Sequence, residues 1–327
     1  MNRDAAPPQT IAVVAAVLKD AAGRVLITQR PPGKPMAGYW EFPGGKIESC
    51  ELPRAALVRE LKEELGIDVQ KVRPLLQHCH DYPDRRVMLD VWRVTRHNGM
   101  PHPREGQAFA WIRPDELAEW QLLPADAPII AALRLPPLML VTPAAARDAE
   151  AFLKTLERRL ARGVEFVQFR APALAAKQYS ELARGVIDIC RTAGARVVLN
   201  AEPELAEKLG ADGVHLNAAR LRRCTDRPLP RSLLVGASCH DAAEMAATER
   251  CRPDYIVAGA VLQTVSHPGG RVLGWEGFSR LAASTAVPVY AIGGLGPQHL
   301  ESARRHGGYG VAAMRALWTK NQGSDSS

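Results

Sequence analysis

Four short apolar runs, separated by polar and glycine-rich segments, mark the first 133 residues of the chain. Their Val, Ile, Leu and aromatic residues are typical of strands, and one longer segment between them has the spacing of an amphipathic helix. Strands around a single helix predict an α+β domain. The segment "RLPP" (134–137) then predicts a stiff linker, because proline blocks helix continuation. The four runs are IAVVAAVL, RVLITQR, RVMLDVWRV and QAFAWI.

From Leu138 onward the pattern changes to an alternation of short apolar runs with helix-like stretches such as "DAEAFLKTLERRLARG". Strands separated by helices predict a parallel sheet, either closed into a (β/α)8 barrel or open and doubly wound. The count of strands favours the barrel. We therefore predict an α+β domain over residues 1–135 and a (β/α)8 barrel over residues 136–327. The eight runs are LMLVT, EFVQFR, RVVLN, DGVHLN, LLVGAS, DYIVAGA, VPVYAIGG and YGVAAM.

Composition and charge narrow the class of protein. No apolar run is long enough to span a bilayer, and the start "MNRDAAPPQT" lacks the apolar core of a signal peptide, so we expect a cytoplasmic protein without a membrane partner. The six cysteines form no Cys-x-x-Cys pair, so we expect free thiols. The net charge of +7 suits a phosphorylated substrate or a solvated surface. No basic run is dense enough to predict a nucleic-acid partner.

The predicted helix after "PGGKIE" carries three closely spaced carboxylates. On a helical wheel Val58, Leu61 and Leu65 form an apolar stripe with Ala55 beside it, and the carboxylates occupy the opposite face. Like charges at this spacing cost about 0.2–0.5 kcal/mol per pair. A solvated acidic face is one interpretation, and a site for Mg²⁺ or Mn²⁺, which prefer oxygen ligands, is the other. The three carboxylates are Glu60, Glu63 and Glu64.

The spacing of the surrounding residues favours the metal site. The segment from Gly45 to Ile67 has the order G-x5-E-x7-R-E-U-x-E-E-x-G-U, where U is apolar. In this it resembles the Nudix box, whose family cleaves nucleoside diphosphates linked to another moiety with the help of divalent metal ions. The resemblance implies a Mg²⁺ cofactor, with Mn²⁺ as a substitute. The fixed polar and glycine positions are Gly45, Glu51, Arg59, Glu60, Glu63, Glu64 and Gly66.

The same resemblance implies roles for individual residues. Glu60 is expected to be the base or a metal ligand, Glu64 the strongest metal ligand and Glu63 the next strongest. Arg59 is expected to orient a carboxylate by ionic hydrogen bonds, and Glu51 to pair with Arg59. The catalytic residues implied are Glu60, Arg59 and Glu63, and the metal ligands are Gly44, Glu60, Glu63, Glu64 and Glu105.

The likeness extends beyond the box to the MutT type of this family, over roughly residues 10–133. It is carried by "LITQRPPGKPMAGYWEFPGGKIE", "YPDRRVMLDVW" and "REGQAFAWIRPDEL". That type hydrolyses 8-oxo-dGTP to the monophosphate and pyrophosphate, which keeps the damaged base out of DNA during replication. The resemblance implies a nucleoside triphosphate substrate contacted by Arg30, Glu41, Phe42, Pro43, Gly44, Lys46 and Asp126.

One of these positions departs from the pattern. The MutT type has an asparagine that contacts the purine edge, and this chain has Asp126 there. A carboxylate accepts hydrogen bonds but donates one only when protonated, which leaves the base preference open. An alternative interpretation is that Asp126 caps the next helix.

The second half resembles thiamine phosphate synthase and the related TenI proteins through "VQFR", "LGADGVHLN", "VGASCH" and "VPVYAIGGL". The resemblance implies a small barrel that binds phosphorylated ligands, with Gly293 and Gly294 at a phosphate site or in a tight turn. His215 and His240 follow strands and are expected to line a pocket or to support the core.

The barrel also lacks residues on which that synthase depends. The lysine after Gln-x-Arg is absent, the Asn-Asp pair is Asn200-Ala201, and Gln-x-Asp is replaced within "HLNAARL". The magnesium aspartates and the phosphate-binding lysine are therefore missing, so we predict no thiamine phosphate synthesis. Two alternatives stay open: a Nudix pyrophosphatase for thiamine- or pyrimidine-related pyrophosphates, and a barrel that binds a phosphorylated metabolite or forms a dimer interface.

Overall fold

The computed structural model describes residues 9–143, 148–264 and 272–319, and it divides the chain into two compact units between Arg134 and Leu135. We refer to them as unit 1 and unit 2. Each unit is built around its own buried apolar residues. Among the described residues, no helix has the length and apolarity needed to cross a membrane.

Unit 1 has the mixed sheets of a Nudix-like α+β fold, as predicted. Its described strands form one four-stranded sheet in the order β4-β1-β6-β5 and one three-stranded sheet in the order β3-β2-β7. Strands β1 and β6 run parallel, and the other pairs are antiparallel. The strands are β1 (Gln9–Leu18), β2 (Val25–Gln29), β3 (Trp40–Glu41), β4 (Gly44–Lys46), β5 (Asp68–Asp81), β6 (Arg85–Asn98) and β7 (Phe109–Ile112). The helices are α1 (Pro53–Leu65) and α2 (Ala127–Leu133).

The four apolar runs predicted as strands form β1, β2, β6 and β7, whereas the fourteen-residue strand β5 was not predicted. Strand β5 lies at the edge of its sheet and buries only Leu75, Leu76 and His78. Its pairing with β6 is also irregular between Val69 and Val72 and between Pro74 and Leu76. Bulges interrupt the two-residue alternation, so no periodic signal marked this strand.

Helix α1 carries the three closely spaced carboxylates. Pro53 is its first residue, and Gly66, with φ +70°, ends it by donating its amide to the Lys62 carbonyl. These are the positions that proline and glycine favour at helix ends. The predicted apolar stripe needs correction, because Ala55 is exposed and Val58 only half-buried. The buried face is instead Ala56, Leu57, Leu61 and Leu65.

The described strands of unit 2 form a closed barrel of eight parallel strands, and all eight predicted runs are among them. Closure excludes the open doubly wound sheet. The strands are β8 (Leu138–Val141), β9 (Phe166–Phe169), β10 (Arg196–Leu199), β11 (Gly213–Leu216), β12 (Leu234–Cys239), β13 (Tyr255–Gly259), β14 (Val289–Ile292) and β15 (Gly310–Ala313). The helices are α3 (Ala149–Leu160), α4 (Ala176–Thr192), α5 (Pro203–Leu209), α6 (Ala218–Arg223), α7 (Ala242–Cys251), α8 (Gly274–Ala283), α9 (Leu300–Arg305) and α10 (Arg315–Trp318).

Aromatic rings fill the barrel near the N-terminal ends of its strands. The rings of Phe166, Tyr255 and Tyr290 pack against one another with centroids 5.4–6.2 Å apart. Glycines make room for them: a Cβ at Gly236 would lie 2.0 Å from the Tyr255 ring, and one at Gly310 would lie 2.8 Å from the ring of Tyr290. The interior at this end of the barrel is therefore a packed core.

The segment predicted as a stiff linker is hydrogen-bonded to the barrel. The hydroxyl of Tyr309 donates to the Leu135 carbonyl, and that of Tyr290 donates to the Pro136 carbonyl at 2.5 Å. These two bonds hold the linker in place on unit 2.

The expectation of six free thiols is wrong for one pair. Cys224, which follows α6, and Cys251, the last residue of α7, form a disulfide with their Cα atoms 6.0 Å apart. Helices α6 and α7 pack side by side, which a sequence separation of 27 residues does not reveal. Cys50, Cys79, Cys190 and Cys239 are free.

Candidate functional site

Two carboxylates of α1 lie against the glycine turn that leads into β4. The amide of Gly44 donates to Glu64 Oε2 at 3.1 Å. A Cβ at Gly45 would lie 2.3 Å from the Glu60 carboxylate, and one at Gly44 would lie 2.2 Å from the Val14 carbonyl oxygen. Gly44, with φ +148°, therefore requires glycine because a side chain would collide with the backbone of β1, whereas a side chain at Gly45 would displace the Glu60 carboxylate.

Arg59 holds the carboxylates of α1 in place. Its Nε and Nη2 donate to the two oxygens of Glu51 at 3.0 and 2.9 Å, and its Nη1 donates to Glu60 at 2.9 Å and Glu63 at 3.3 Å. Nη2 also donates to the Lys46 carbonyl at 3.1 Å. The hydrogen bond to Glu51 is the largest of the influences that raise the pKa of Arg59. The guanidinium thus stays charged and fixes the direction of Glu60.

Four carboxylates influence one another around Glu64, and we call them the carboxylate cluster: Glu41, Glu60, Glu64 and Glu105. Burial raises the pKa of Glu64 to about 8, against a hydrogen bond from Gly44, and the charges of the other three raise it further. Burial also raises the pKa of Glu60, although Arg59 opposes the shift. The pKa of Glu41 is raised by burial against the opposing charge of Arg30. Crowded carboxylates of this kind are stabilised by a cation placed among them.

Glu63 departs from the predicted arrangement. Its side chain is 57 % exposed and reaches only Arg59, whereas Glu60 and Glu64 turn toward the glycine turn. The three carboxylates therefore do not share one face, because the helix lies against β4 on the side of Glu60 and Glu64.

The donor set suits a hard divalent cation. In the described ranges no group of three His, Cys, Asp or Glu side chains already has metal-binding geometry. Even so, the carboxylate cluster offers oxygen ligands only, which are those that Mg²⁺ and Mn²⁺ prefer. Burial and the neighbouring carboxylates raise the pKa of Glu64, and a cation at this point would oppose both influences. Glu60, Glu64, Glu105 and the Gly44 carbonyl fit as the residues that would hold the ion.

Next to the carboxylate cluster lies a group of residues predicted to contact substrate. Arg30 Nη1 donates to Glu41 Oε2, and its Nε donates to the Pro35 carbonyl at 2.7 Å. Phe42 and Pro43 are buried, and the Pro43 carbonyl accepts the Ala16 amide at 2.8 Å, which anchors the turn on β1. Lys46 is exposed on β4. The structure thus brings Arg30, Glu41 and the turn together beside α1.

Asp126 is buried near Glu41. It is 4 % exposed, and its Oδ2 has no hydrogen-bond partner. Burial raises its pKa well above the usual value; the charge of Glu41 adds to this shift, and a hydrogen bond from the Phe42 amide opposes it. The shift favours the protonated form of Asp126, which has one donor and one acceptor. The capping alternative is wrong, because the side chain makes no hydrogen bond to the start of α2.

Two further residues belong to this region and were not predicted. Gln107, 7 % exposed, donates to the Glu64 carbonyl at 3.2 Å and accepts the Glu105 amide at 2.9 Å, so it ties Glu105 to the end of α1. Tyr82 is close enough to Asp126 for that carboxyl to help raise its pKa, although burial is the main cause. Both lie in segments that carry the resemblance to the MutT type, Gln107 in "REGQ" and Tyr82 in "YPDRR". Neither a glutamine nor a tyrosine by itself indicates a functional site. Glu105 itself pairs with Lys34 at 3.4 Å.

The C-terminal ends of the barrel strands carry the predicted residues of unit 2. Gly293 and Gly294 follow β14 with φ of +104° and +67°. A Cβ at Gly293 would lie 2.6 Å from Ala260, so the turn requires glycine there. His240 follows β12 and its Nδ1 lies 2.8 Å from Glu244 Oε2.

His215 lies inside the barrel, 1 % exposed, with Nε2 2.8 Å from Ser238 Oγ and Nδ1 3.2 Å from the Tyr255 hydroxyl. Burial lowers its pKa to about 3, and the charges of Arg170, Arg220 and His240 lower it further. His215 is therefore a neutral, fully hydrogen-bonded ring, and this settles the alternatives in favour of a supporting role in the interior.

Comparisons with known proteins match both units. The model of the NUDIX domain family matches residues 9–133, and that of the thiamine monophosphate synthase family matches residues 138–317. Over 122 residues the chain is 41 % identical to CTP pyrophosphohydrolase of Escherichia coli, covering 37 % of this chain and 90 % of that protein. It is 37 % identical to 8-oxo-dGTP diphosphatase of the same organism, over 37 % of this chain and 95 % of that protein. Unit 2 is 31 % identical to thiamine-phosphate synthase of Azorhizobium caulinodans, over 55 % of this chain and 86 % of that protein.

Proposed function

The chain belongs to the Nudix family through residues 9–133 and to the thiamine monophosphate synthase family through residues 138–317, and from this premise we propose that unit 1 is a Mg²⁺-dependent nucleoside triphosphate pyrophosphohydrolase. The products are the nucleoside monophosphate and pyrophosphate. The leading substrate is 8-oxo-dGTP, whose removal keeps an oxidised base out of DNA.

The observation that carries this proposal is the carboxylate cluster against the Gly44–Gly45 turn. Burial and the three neighbouring carboxylates raise the pKa of Glu64, so the charged cluster is unfavourable unless a cation joins it. A nucleoside triphosphate is an anion that they would repel in the same way. A negatively charged site is therefore suited to a substrate that binds together with a divalent cation.

Each residue then has a physical task. A bound Mg²⁺ neutralises phosphate oxygens and lowers the pKa of a water molecule. Glu64, held by the Gly44 amide, and Glu105, held by Gln107, supply oxygen ligands. Glu60 takes the proton of the attacking water, and Arg59 keeps it in position through its hydrogen bond of 2.9 Å. Glu63, which is exposed, contributes less than these residues.

Arg30 and Asp126 are proposed to bind the rest of the nucleotide. Arg30, beside Glu41, is a cation for the phosphates or ribose. Asp126, as a neutral acid, donates one hydrogen bond and accepts another, just as an asparagine amide does. It therefore suits 8-oxoguanine, which offers N7–H as donor next to O6 as acceptor. Asp126 thus replaces the asparagine of the MutT type without reversing its hydrogen bonds.

A second substrate, CTP, is favoured by two observations. The 41 % identity to CTP pyrophosphohydrolase is higher than the 37 % identity to 8-oxo-dGTP diphosphatase of the same organism. In addition, cytosine presents the N4 amino donor beside the N3 acceptor, which a neutral carboxylic acid also satisfies. Unmodified guanine has an acceptor at N7 beside the acceptor O6, so on that edge the acid can make only one of its two hydrogen bonds.

The test follows products rather than loss of substrate. The full chain is incubated with Mg²⁺ and, in parallel, with 8-oxo-dGTP, dGTP, CTP and thiamine pyrophosphate, and the products are identified by ³¹P NMR. We expect monophosphate and pyrophosphate from 8-oxo-dGTP or CTP, with dGTP slower. Release of orthophosphate from the triphosphates, or turnover of thiamine pyrophosphate alone, would contradict the proposal.

A further inference from the structure

Three cationic or potentially cationic side chains surround the C-terminal opening of the barrel. Arg170 follows β9, Arg220 lies on α6, and His240 follows β12. All three are near enough to His215 to lower its pKa, which places them around one interior point. We call this group, with Gln168 beneath it, the barrel mouth. Sites of (β/α)8 proteins form at this end of the strands.

The barrel mouth does not fit a magnesium ion. The synthase family holds its ion with aspartates, and the corresponding segments here contain Asn200-Ala201 and "NAAR", which ends at Arg220. Arg220 Nη1 donates to Asn200 Oδ1 at 3.0 Å, and its Nε donates to Glu202 Oε1 at 2.9 Å. A guanidinium therefore takes up the oxygens that a metal would need, and its charge repels a second cation.

A polar side chain lies beneath the cations. Gln168 is 4 % exposed. It lies two residues after Phe166, whose ring packs inside the barrel, so alternation along β9 directs Gln168 to the interior as well. Its amide can donate a hydrogen bond to a ligand oxygen in the opening.

Arg170 is fixed through its backbone. The Thr142 hydroxyl, fully buried, accepts the Arg170 amide at 2.9 Å and donates to the Arg170 carbonyl at 3.1 Å. The carboxylates that contact the cations in the described residues are Glu202 and Glu244. Glu202 already pairs with Arg220 and Arg223, and Glu244 with His240 and Arg222. Positive charge therefore exceeds negative charge at the opening.

We propose that the barrel mouth binds the phosphate or diphosphate group of a small ligand directly, without a divalent metal ion. Arg220 supplies in the protein itself the charge that a bound metal supplies in the synthase. Arg170 adds a second guanidinium, and Gln168 donates a hydrogen bond from below. Guanidinium groups bind phosphate oxygens in a bidentate manner, which suits this role. The proposal does not depend on the activity of unit 1.

The test is calorimetric titration of the full chain with inorganic pyrophosphate in EDTA. Arg220→Gln removes the charge at the opening. Arg223→Gln is the matched control, because it removes the same charge from α6 and pairs with the same Glu202, but its side chain is 69 % exposed. We expect Arg220→Gln to weaken binding by about tenfold or more and Arg223→Gln to change it less than about twofold. Binding to unit 1 is common to all three proteins and cancels from the comparison.

Three results of the titration would contradict the proposal. Absence of binding in EDTA, no change in Arg220→Gln, or an equal loss in Arg223→Gln would overturn the proposal. Far-UV circular dichroism and the melting temperature show whether Arg220→Gln is folded. If it is not, Arg170→Gln takes its place with the same expected loss, since Arg170 is held by its backbone and its side chain can change without breaking a described contact.

Discussion

The carboxylate cluster of unit 1 and the barrel mouth of unit 2 carry opposite charges, although we propose that each binds a ligand with phosphate groups. Each unit also has a pair of adjacent glycines, Gly44–Gly45 beside the carboxylate cluster and Gly293–Gly294 after β14 of the barrel. The negative charges of the cluster add to the burial that raises the Glu64 pKa to about 8, whereas the positive charges of the mouth add to the burial that lowers the His215 pKa to about 3. An anionic ligand is repelled by the first unless a cation accompanies it, and is attracted by the second as it stands.

The sign of the charge at each site decides whether the site is suited to catalysis or only to binding. A metal ion brought to carboxylates also activates water, so the negative site is suited to hydrolysis. A guanidinium neutralises phosphate but is never a base, so the positive site is suited to holding a ligand. Each of the following changes tests one side of that contrast, from the largest expected effect to the smallest.

Glu64→Gln should impair the binding of the divalent ion at the carboxylate cluster. We expect the rate of nucleotide hydrolysis to fall by about 10³-fold or more, because a carboxylate ligand at the centre of the cluster is lost. Glu63→Gln is the control, since Glu63 is exposed and should cost less than about tenfold. Steady-state kinetics with Mg²⁺ measure both. Normal turnover by a folded Glu64→Gln protein would refute the assignment.

The same variant should be more stable than the natural protein at high pH, although it loses activity. The Glu64 pKa of about 8 lies above the ordinary value of 4.5, so the folded state loses stability as pH rises from 4.5 through 8. In EDTA, Glu64→Gln should therefore melt at a higher temperature than the natural protein at pH 9, with no difference at pH 4. A higher melting temperature for the natural protein at pH 9 would show that Glu64 has a cationic partner already.

Arg59→Lys should disturb the negative site without removing a carboxylate. Lysine cannot reproduce the bidentate pairing with Glu51 while also holding Glu60, so we expect kcat to fall by about 10²-fold. Arg86→Lys is matched to it, because Arg86 also pairs through Nε and Nη2 with one carboxylate, Asp81, but is exposed. The control should keep full activity. Equal losses in both would mean that the effect is not specific to the site.

Asp126→Asn should make stability less dependent on pH. The pKa of Asp126 is raised by burial, so the natural protein loses stability as pH rises above 3.8 toward the folded-state pKa. The amide has the same shape and does not ionise. We expect the melting temperature of the variant, relative to the natural protein, to rise between pH 5 and pH 9 in EDTA. A constant difference across this range would show that Asp126 is not neutral.

Lys34→Met should have the smallest effect. Lys34 lies 3.4 Å from Glu105 and its charge also lowers the pKa of Glu41, so it partly offsets the negative cluster. We expect KM for the nucleotide to rise by about two- to fivefold with kcat unchanged. Lys62→Met is the control, because Lys62 is equally exposed and pairs with Asp68 away from the cluster. A change in kcat in Lys34→Met, or a KM increase in the control, would contradict this role.

The fold was predictable where local pattern and tertiary structure agree. All eight barrel strands are short, buried on both faces and apolar, so composition alone marks them. Strand β5 was missed because it lies at a sheet edge with interrupted alternation. The disulfide between Cys224 and Cys251 depends on helix packing, which the sequence spacing does not encode.

The spacing in the sequence predicted which residues lie together in unit 1, but not their electrostatics. Glu60 and Glu64 were predicted to share one helix, and the structure places both against Gly44 and Gly45, while their catalytic roles stay a prediction. The exposure of Glu63 and the raised pKa of Asp126 depend on which strands and turns cover each side chain. In the sequence, Arg220 is noticed only because it stands where the synthase family has an aspartate. Its hydrogen bond to Asn200, on which the proposal for the barrel mouth rests, depends on the fold.

The most direct test of the contrast is one ³¹P NMR titration of the full chain, first in EDTA and then in excess Mg²⁺, with 8-oxo-dGTP or CTP and with pyrophosphate. In EDTA the account predicts that the triphosphate stays intact while pyrophosphate is bound. After Mg²⁺ is added, the triphosphate should be converted to monophosphate and pyrophosphate. Hydrolysis in EDTA, or pyrophosphate bound only once Mg²⁺ is present, would contradict the account.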